Sequence, residues 1–292
     1  MIGHLQTIAA VLRPRPRPAF VRERWDTPDG DFIDVDFAGR GRALVLFHGL
    51  EGCSASHYAR VLAPAFARAG WRVAIPHWRG CSGEPNRLAR AYHSGDSAEV
   101  DWILREFTPP VDAIGVSLGG NALLKWLGER GDDAGRVVRR AATISAPLDL
   151  AASAGALDRG LNRLLYTRMF LATLKTKSLA KLARFPDLFD RAQLARARTF
   201  REFDSLYTAP LHGFRDAAHY WSSSSSGAWL AHIRVPTLVI NARNDPFLPE
   251  PALLAASRDA ASGVTLEFPR AGGHVGFAAG WLRRRLINFL RP

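Results

Sequence analysis

Cysteine is scarce in this sequence, which has only Cys53 and Cys81 among its 292 residues. Two cysteines cannot build the disulfide framework of a small secreted domain, so we expect free thiols in a reducing compartment, with a single bridge as the alternative. Long apolar runs are also missing, since no run of about 18 apolar residues is present to cross a membrane. The apolar stretch 8–12 is too short for a signal peptide and leads into alternating Arg and Pro. We therefore expect a cytoplasmic protein.

Acidic residues are outnumbered: 27 Asp and Glu stand against 39 Lys and Arg, which gives a net charge of +12. Such an excess is typical of proteins that bind nucleic acid or anionic membranes. The basic residues are scattered, however, and no run of five occurs. Their densest groups are Arg13, Arg15 and Arg17, then Arg136, Arg139 and Arg140, and finally residues 283–285. We interpret the excess as solvated surface and expect no nucleic-acid partner. Weak contact with a membrane surface is the alternative.

Apolar runs of strand length alternate with helical patterns along most of the chain. Residues 43–47 are uninterrupted by polar side chains, as expected of a strand buried on both faces of a parallel sheet. The strands predicted in this way are 43–47, 71–76, 111–116, 141–145, 237–241 and 264–268. The predicted helices are 57–69, 97–107, 119–129, 251–257 and 281–290. This spacing predicts an α/β fold with a mostly parallel, twisted sheet flanked by helices. Residues 22–36 fit two short edge strands around a Pro-Asp-Gly turn.

The alternation of strands and helices is interrupted after Pro147. Residues 148–232 carry Leu, Arg and Ala at helical spacings and contain no strand-like run. The predicted organisation is a single domain of residues 1–292, divided into a core of 43–147 and 233–292, a helical cap insertion of 148–232 and an N-terminal arm of 1–19. The arm is expected to be peripheral and extended, because prolines alternate with arginines at its end.

One serine lies in a motif that carries chemistry. Residues 115–119 read Gly-Val-Ser-Leu-Gly, the G-x-S-x-G pattern of a nucleophile on a sharp strand-to-helix turn. The glycines leave room for the turn, and the helix N-terminus favours negative charge that develops beside it. An apolar strand precedes the motif and a helical pattern follows it, so we predict Ser117 as the nucleophile. A strand–helix loop with an incidental serine is the alternative.

A serine hydroxyl needs a base, and the base needs an acid that orients it. His274 lies in a Gly-Gly-His-Val-Gly loop after the last predicted strand, where the glycines let the imidazole approach the serine. Asp245 follows the strand 237–241, which gives the chain order Ser, Asp, His that accompanies such a turn. Asp259 also precedes the histidine but falls within or after a helix. We therefore predict His274 as the base and Asp245 as the acid, with ordinary surface and turn roles as the alternatives.

Attack on a carbonyl produces an oxyanion, which backbone N–H groups can stabilise. One donor is expected at Leu118, directly after the nucleophile. The second is expected at Leu50, in the Phe-His-Gly-Leu-Glu-Gly loop of residues 47–52. His48 is expected to support this loop rather than to react.

These residues resemble the YheT-like branch of α/β hydrolases, the AB hydrolase 4 family, along nearly the whole chain. Residues 3–7 and 29–32 are similar to signatures of that branch, and 47–52, 78–83 and 92–95 are similar to its loops. The most specific similarity comprises residues 203–210, Phe214, Ala218, Tyr220, Trp221, Ser223 and Ser224, a set that general α/β hydrolases lack. The departures are Cys53 and Cys81, in variable loops, and the Arg-rich ends of the chain; none touches the triad.

The resemblance implies the α/β-hydrolase fold, a Ser–Asp–His charge relay on Ser117, Asp245 and His274, and hydrolysis of short-chain or acylglycerol esters. Some family members transfer acyl groups to alcohols, so an acyltransferase using the same acyl-enzyme is one alternative. A non-catalytic binding protein on this fold is the other. We expect a small-molecule or lipid ester as the partner and no cofactor. No metal is expected either, because no His, Cys and Asp cluster has ligand spacing. The acyl-chain length, the natural substrate and the oligomeric state stay open.

Overall fold

One sheet organises the protein, whose computed structural model describes residues 1–16 and 18–291. Its strands are β1 (Val21–Asp26), β2 (Phe32–Ala38), β3 (Arg42–Phe47), β4 (Trp71–Pro76), β5 (Val111–Val116), β6 (Val138–Ile144), β7 (Thr237–Ile240) and β8 (Val264–Glu267). They lie in the order β1-β2-β4-β3-β5-β6-β7-β8. Arg17, from the basic N-terminal group, lies outside the described residues.

The sheet is mostly parallel, as the sequence predicts. Only its β1 edge is antiparallel, because β2 runs opposite to both β1 and β4. From β4 through to β8 every pair of neighbouring strands is parallel. Residues 44–47 of β3 are all fully buried, which explains why this strand is an uninterrupted apolar run.

Helices cover both faces of this sheet. They are α1 (Ile2–Leu12), α2 (Ala59–Arg68), α3 (Ser97–Arg105), α4 (Leu118–Arg130), α5 (Leu150–Leu157), α6 (Gly160–Asn162), α7 (Arg168–Lys181), α8 (Arg191–Arg196), α9 (Phe200–Phe203), α10 (Ala209–Leu211), α11 (Ala217–Ser224), α12 (Glu250–Ala256) and α13 (Ala279–Leu290). Within the described part of the chain, no helix is long and apolar enough to cross a membrane.

The hydrophobic core lies in two layers, one on each face of the sheet. Helices α2 and α13 cover one face, where Phe66 and Leu286 join the same apolar cluster as Leu46. Helices α3 and α4 cover the other face, where Trp126 joins a second cluster with Val45. Neighbouring residues of a strand point to opposite faces, so Val45 and Leu46 serve different layers.

Helices α5 to α11 lie between β6 and β7 and are interrupted by two π-helical turns, Arg163–Thr167 and Asp204–Thr208. The second turn contains a buried network. The Asp204 carboxylate accepts from Trp221 Nε1 at 2.8 Å and from Thr208 Oγ1 at 2.7 Å. Burial raises the pKa of Asp204 to about 6. The stretch that is most specific to the family resemblance therefore contributes to the packing of this helical block.

The expectation of an extended, peripheral arm over residues 1–19 was wrong for its first part. Residues 2–12 form α1, because the first proline of the stretch, Pro14, comes only after the helix has ended. Gly3 and Thr7 are buried on one side of this helix. A Cβ at Gly3 would overlap the carbonyl oxygen of Asn244. Contacts to a loop far away in sequence hold the helix, and a local pattern cannot reveal them.

Candidate active site

Ser117 lies at the sharp turn between β5 and α4. Its φ is 52° and its ψ is −119°, a conformation that residues other than glycine rarely adopt. The Ser117 N–H donates to the Ile144 carbonyl at 2.9 Å, which ties the turn to β6. A Cβ at Gly119 would lie 2.5 Å from the Phe47 carbonyl oxygen, and one at Gly115 would lie 2.5 Å from the Gly119 oxygen. Close backbone approach therefore requires both glycines of the G-x-S-x-G pattern.

The structure brings the three sequence-predicted residues into one hydrogen-bonded chain. His274 Nε2 is 3.0 Å from Ser117 Oγ, and His274 Nδ1 is 2.8 Å from Asp245 Oδ2. Asp245 is buried, and its other oxygen accepts the Phe247 N–H at 2.8 Å. A carboxylate at Nδ1 holds the proton there, so Nε2 faces the serine hydroxyl as an acceptor. Asp259, which also lies between Ser117 and His274 in the sequence, is exposed.

Helix α1 supports the loop that carries His274. Thr7 Oγ1 accepts the His274 N–H at 2.8 Å and donates to the Gly3 carbonyl at 2.8 Å. A Cβ at Gly273 would lie 2.5 Å from the Gly3 oxygen, so helix and loop are in backbone contact. The residue on the other side of the histidine is also held, because the Val275 N–H donates to Ser145 Oγ at 3.0 Å.

Asn244 links the loops that carry the acid and the base. Its Oδ1 accepts the Gly272 and Gly273 N–H groups at 3.1 and 3.0 Å. Its Nδ2 donates to Gln6 Oε1 of α1 at 2.8 Å. Sequence reasoning missed the supporting role of Gln6, Thr7 and Asn244. The signal that pointed towards α1 was the similarity of residues 3–7 to the family signature, which carries no geometric meaning by itself.

Two backbone N–H groups near Ser117 are the ones that the sequence predicts as donors to an oxyanion. Leu118 is the first residue of α4, so its N–H precedes the hydrogen-bonded turns of that helix. The N–H of Leu50 belongs to the loop that contacts the serine, where a Cβ at Gly49 would lie 3.1 Å from Ser117 Cβ. Within the described residues, neither N–H has a hydrogen-bond acceptor. Both donors that the sequence singled out are therefore available.

Two tyrosines fix the loop around Leu50. Tyr58 OH accepts the Gly49 N–H at 2.8 Å, and Tyr92 OH accepts the Glu51 N–H at 3.0 Å. The N–H groups on either side of Leu50 are thus engaged, whereas its own is not. Glu51 has a positive φ of 54°, which turns the chain sharply after Leu50.

His48 supports the same loop from the core. It is fully buried, and desolvation lowers its pKa to about 3, so the imidazole is neutral. Its Nε2 accepts the Trp78 N–H at 3.1 Å, and its Nδ1 lies 2.8 Å from the Gly49 carbonyl oxygen, to which it donates. Both ring nitrogens are used in holding the loop, in agreement with the supporting role expected of this histidine.

A cavity of about 160 Å³ extends from Ser117 beneath the helical block. Its apolar walls include Leu118, Leu150, Leu157, Phe200 and Trp221. A polar group also contributes, since Lys177 Nζ lies 2.9 Å from Glu51 Oε2. Cys81 lies beside this pair and, like Cys53, is a free thiol. Burial raises the pKa of Cys81 to about 12, so the thiol stays protonated and is a poor nucleophile at neutral pH.

A second and wider groove, of about 690 Å³, also reaches Ser117 and His274. Helix α1 lines one side of it through Ile8, and α7 lines the other through Phe170. The serine is therefore approached from two directions. Within the described residues, no three His, Cys, Asp or Glu side chains are grouped to hold a metal ion. The arrangement brings together a serine hydroxyl, an imidazole that contacts a carboxylate, and two N–H groups, and these are the kinds of group that acyl transfer uses.

Comparison with known proteins identifies the family. A model described as the alpha/beta hydrolase fold matches residues 42–280. The proposed esterase YheT of Escherichia coli (strain K12) is 38% identical over 313 residues, which cover 98% of this chain and 89% of that protein. The chain belongs to the YheT-like family of α/β hydrolases.

Two further comparisons place this YheT-like hydrolase among its relatives. Medium-chain fatty acid ethyl ester synthase/esterase 2 of Saccharomyces cerevisiae (strain ATCC 204508 / S288c) is 34% identical over 235 residues, 70% of this chain and 51% of that protein. The solved structure of the alpha/beta hydrolase GrgF from Penicillium sp. sh18 has a TM-score of 0.62. It covers 94% of this chain and 98% of its own at 15% identity, and it therefore supports the fold alone.

Proposed function

We propose that this hydrolase cleaves carboxylic esters through an acyl-enzyme on Ser117, with His274 as the base and Asp245 as the residue that orients it. The observation that carries the proposal is the unbroken contact from Asp245 to His274 (2.8 Å) and from His274 to Ser117 (3.0 Å). A serine without such a base is a weak nucleophile. The esterase names of the family relatives support the same chemistry.

In the acylation step, Ser117 Oγ attacks the ester carbonyl carbon while His274 Nε2 takes the hydroxyl proton. The carbonyl electron pair moves onto oxygen, and the N–H groups of Leu50 and Leu118 stabilise this oxyanion. When the carbonyl re-forms, the bond to the alkoxy oxygen breaks, and the imidazolium returns the proton to that oxygen. Alcohol leaves and the acyl group stays on the serine. Asp245 stabilises the imidazolium throughout.

Water completes the hydrolysis by the same two steps, with water as the nucleophile and Ser117 Oγ as the leaving group. His274 Nε2 takes a proton from water, and the hydroxide oxygen attacks the acyl carbon under the same two N–H donors. Collapse breaks the bond to Ser117 Oγ, which recovers its proton from the imidazolium. The products are a carboxylic acid and the free enzyme, and no cofactor enters the balance.

Turnover of p-nitrophenyl esters of increasing chain length tests this proposal. Ser117→Ala should lower kcat by roughly 10⁴-fold or more, because the remaining groups cannot form the acyl-enzyme. Ser222→Ala is a matched control, since Ser222 is exposed and its hydroxyl donates only to the nearby His219 carbonyl. Thermal unfolding of each variant verifies folding. Undiminished turnover by a folded Ser117→Ala protein would contradict the proposal. A folded wild type that turns over none of the esters would favour a non-catalytic binding protein.

Transfer of the acyl group to an alcohol is the second candidate function. The observation in its favour is the 690 Å³ groove, which brings a second, largely apolar path to Ser117 and has room for an alcohol. One relative carries the name of an ester synthase as well as an esterase. Added ethanol separates the two outcomes: a new ethyl ester at the expense of acid supports transfer, and acid alone supports hydrolysis.

Residues 148–232 are proposed to act as the cap that shapes the acyl site of a small-molecule or lipid ester. The support is that walls of the 160 Å³ cavity come from this block, including Phe200 of α9 and Trp221 of α11. Removing the Phe200 ring should enlarge the cavity. Phe200→Ala is therefore expected to move the preferred substrate towards longer acyl chains, and an unchanged chain-length profile would contradict this role.

A further inference from the structure

Exposed apolar side chains are concentrated around the wider groove that leads to Ser117. Among the described residues, eleven large hydrophobic side chains are exposed, and nine of them belong to residues 1–12 or 161–169. Val11 and Leu12 are 60% and 73% exposed, Leu165 and Met169 are 43% and 54% exposed, and all four line the groove. We call these four residues the apolar rim. Clusters of this kind on a protein surface mark sites of interaction.

Arginines without a counter-charge adjoin the apolar rim. Arg13, Arg15 and Arg60 line the same groove. They also line a neighbouring groove together with Arg68 and Arg283, and no carboxylate of the described residues contributes to its walls. In the described part of the chain, none of these five arginines forms an ion pair. We call Arg13, Arg15 and Arg60 the basic rim.

Among the described residues the basic rim has no carboxylate partner, and the Arg15 guanidinium donates only to the backbone carbonyls of Ala10 and Arg13. Arg60 Nε is buried, and no hydrogen-bond partner for it is found among the described residues. Burial lowers the pKa of Arg15, and the nearby charges of Arg13 and Arg60 lower it further. Positive groups that repel one another in this way gain from a bound anion, which removes the repulsion and supplies acceptors.

We propose that the apolar and basic rims dock this protein on an anionic lipid surface, from which an ester substrate enters the groove to Ser117. A nucleic acid or an acidic peptide would satisfy the arginines but leave the aliphatic side chains in water. A bilayer provides phosphate groups for the arginines and hydrocarbon for Leu12, Leu165 and Met169. The entry of substrate rests on the proposed function, whereas the docking itself does not.

Co-sedimentation of the Ser117→Ala protein with vesicles tests the docking, because binding is then measured without turnover of the lipid. One set of vesicles contains phosphatidylcholine alone, and the other contains equal parts of phosphatidylcholine and phosphatidylglycerol. We expect binding to the anionic vesicles to be much stronger and to weaken at high salt, where counter-ions screen the arginines.

Variants of the two rims separate their contributions. An arginine near an anionic surface strengthens binding about fivefold, so Arg13→Gln, Arg15→Gln and Arg60→Gln together should weaken it about a hundredfold. Leu12→Ser with Leu165→Ser should weaken it at least about tenfold through lost apolar contact. Both replaced leucines are exposed, so the fold does not depend on them.

Matched controls carry the same changes on other surfaces. Arg136, Arg234 and Arg258 precede β6, β7 and β8, at the amino ends of these strands and hence opposite the edge where Ser117 lies. Their triple replacement by Gln removes the same charge and should leave vesicle binding unchanged. Leu254→Ser removes an exposed leucine of α12 and should also have no effect.

Equal binding to the two kinds of vesicle, or no binding to either, would overturn the proposal. Binding to heparin with none to vesicles would also overturn it, since the face would then fit a soluble polyanion. Vesicle binding that falls equally in the rim and control variants would reject the assigned surface. Fluorophosphonate labelling of the wild type is scored separately, so failure of docking and failure of the esterase function are distinguishable.

Discussion

Replacing Thr7 by valine should slow ester turnover while leaving substrate binding nearly unchanged. Thr7 Oγ1 accepts the His274 N–H at 2.8 Å, and valine has a similar shape without the acceptor. An N–H left without a partner costs about 1–3 kcal/mol, and the loop relieves that cost by moving the imidazole away from Ser117. A displacement of about 1 Å at a reacting group lowers the rate roughly a hundredfold. We expect kcat to fall by about tenfold to a hundredfold, with KM within about twofold of the wild type.

Steady-state kinetics with a p-nitrophenyl ester, together with urea unfolding, measure this effect. Thr176→Val is the matched control, because Thr176 Oγ1 donates to the Ala172 carbonyl at 2.8 Å as Thr7 donates to Gly3, but it is exposed on α7. Thr7→Ser keeps the acceptor and should restore kcat. A wild-type kcat in Thr7→Val, or equal losses in both valine variants, would refute the positioning role of α1.

Three further outcomes are expected. A Cβ at Gly119 would lie 2.5 Å from a backbone oxygen, so Gly119→Ala should lower the free energy of unfolding by about 3 kcal/mol or more; Gly135→Ala, which meets open space, should not. Burial raises the pKa of Asp204 from 3.8 to about 6, so the folded state binds more protons in that window and stability falls as pH rises through it. Asp204→Asn should remove this dependence of the free energy of unfolding on pH, and urea unfolding at a series of pH values measures it. Parallel curves of unfolding free energy against pH for the wild type and Asp204→Asn would contradict the prediction. Cys53 should react with a thiol reagent before Cys81, whose thiol is buried with a pKa raised to about 12, and equal rates would contradict that burial.

The sheet could be predicted because its central strands are marked by apolar runs. Residues 111–116 were predicted as a strand and are β5 with the same bounds. The strand predicted from residue 141 begins earlier, at Val138, since Arg139 and Arg140 interrupt the apolar run. Arg139 is accommodated because its guanidinium lies 2.6 Å from Asp112 Oδ1 of the neighbouring strand. That compensation depends on the pairing of two strands, which the local pattern does not contain.

The three main residues of the candidate site could be predicted, because the chemistry and the chain order constrain them. The residues that hold their loops in place could not be predicted, because they are distant in the sequence. Ser117 and His274 lie in glycine-rich turns. Close backbone contacts require those glycines, so the two turns can be recognised in the sequence. The catalytic roles of Ser117 and His274 stay a prediction. The freedom of the Leu50 N–H depends on Tyr58 and Tyr92 engaging its neighbours, and no spacing rule connects these residues.

Fluorophosphonate labelling followed by peptide mass spectrometry tests the central claim, an activated serine at position 117, most directly. The reagent reacts with a serine whose hydroxyl proton is taken by a neighbouring base. We expect the wild type to carry one label on the peptide that contains Ser117, and the folded Ser117→Ala protein to carry none. A folded wild type that takes no label, or a Ser117→Ala protein labelled to the same extent, would contradict the claim.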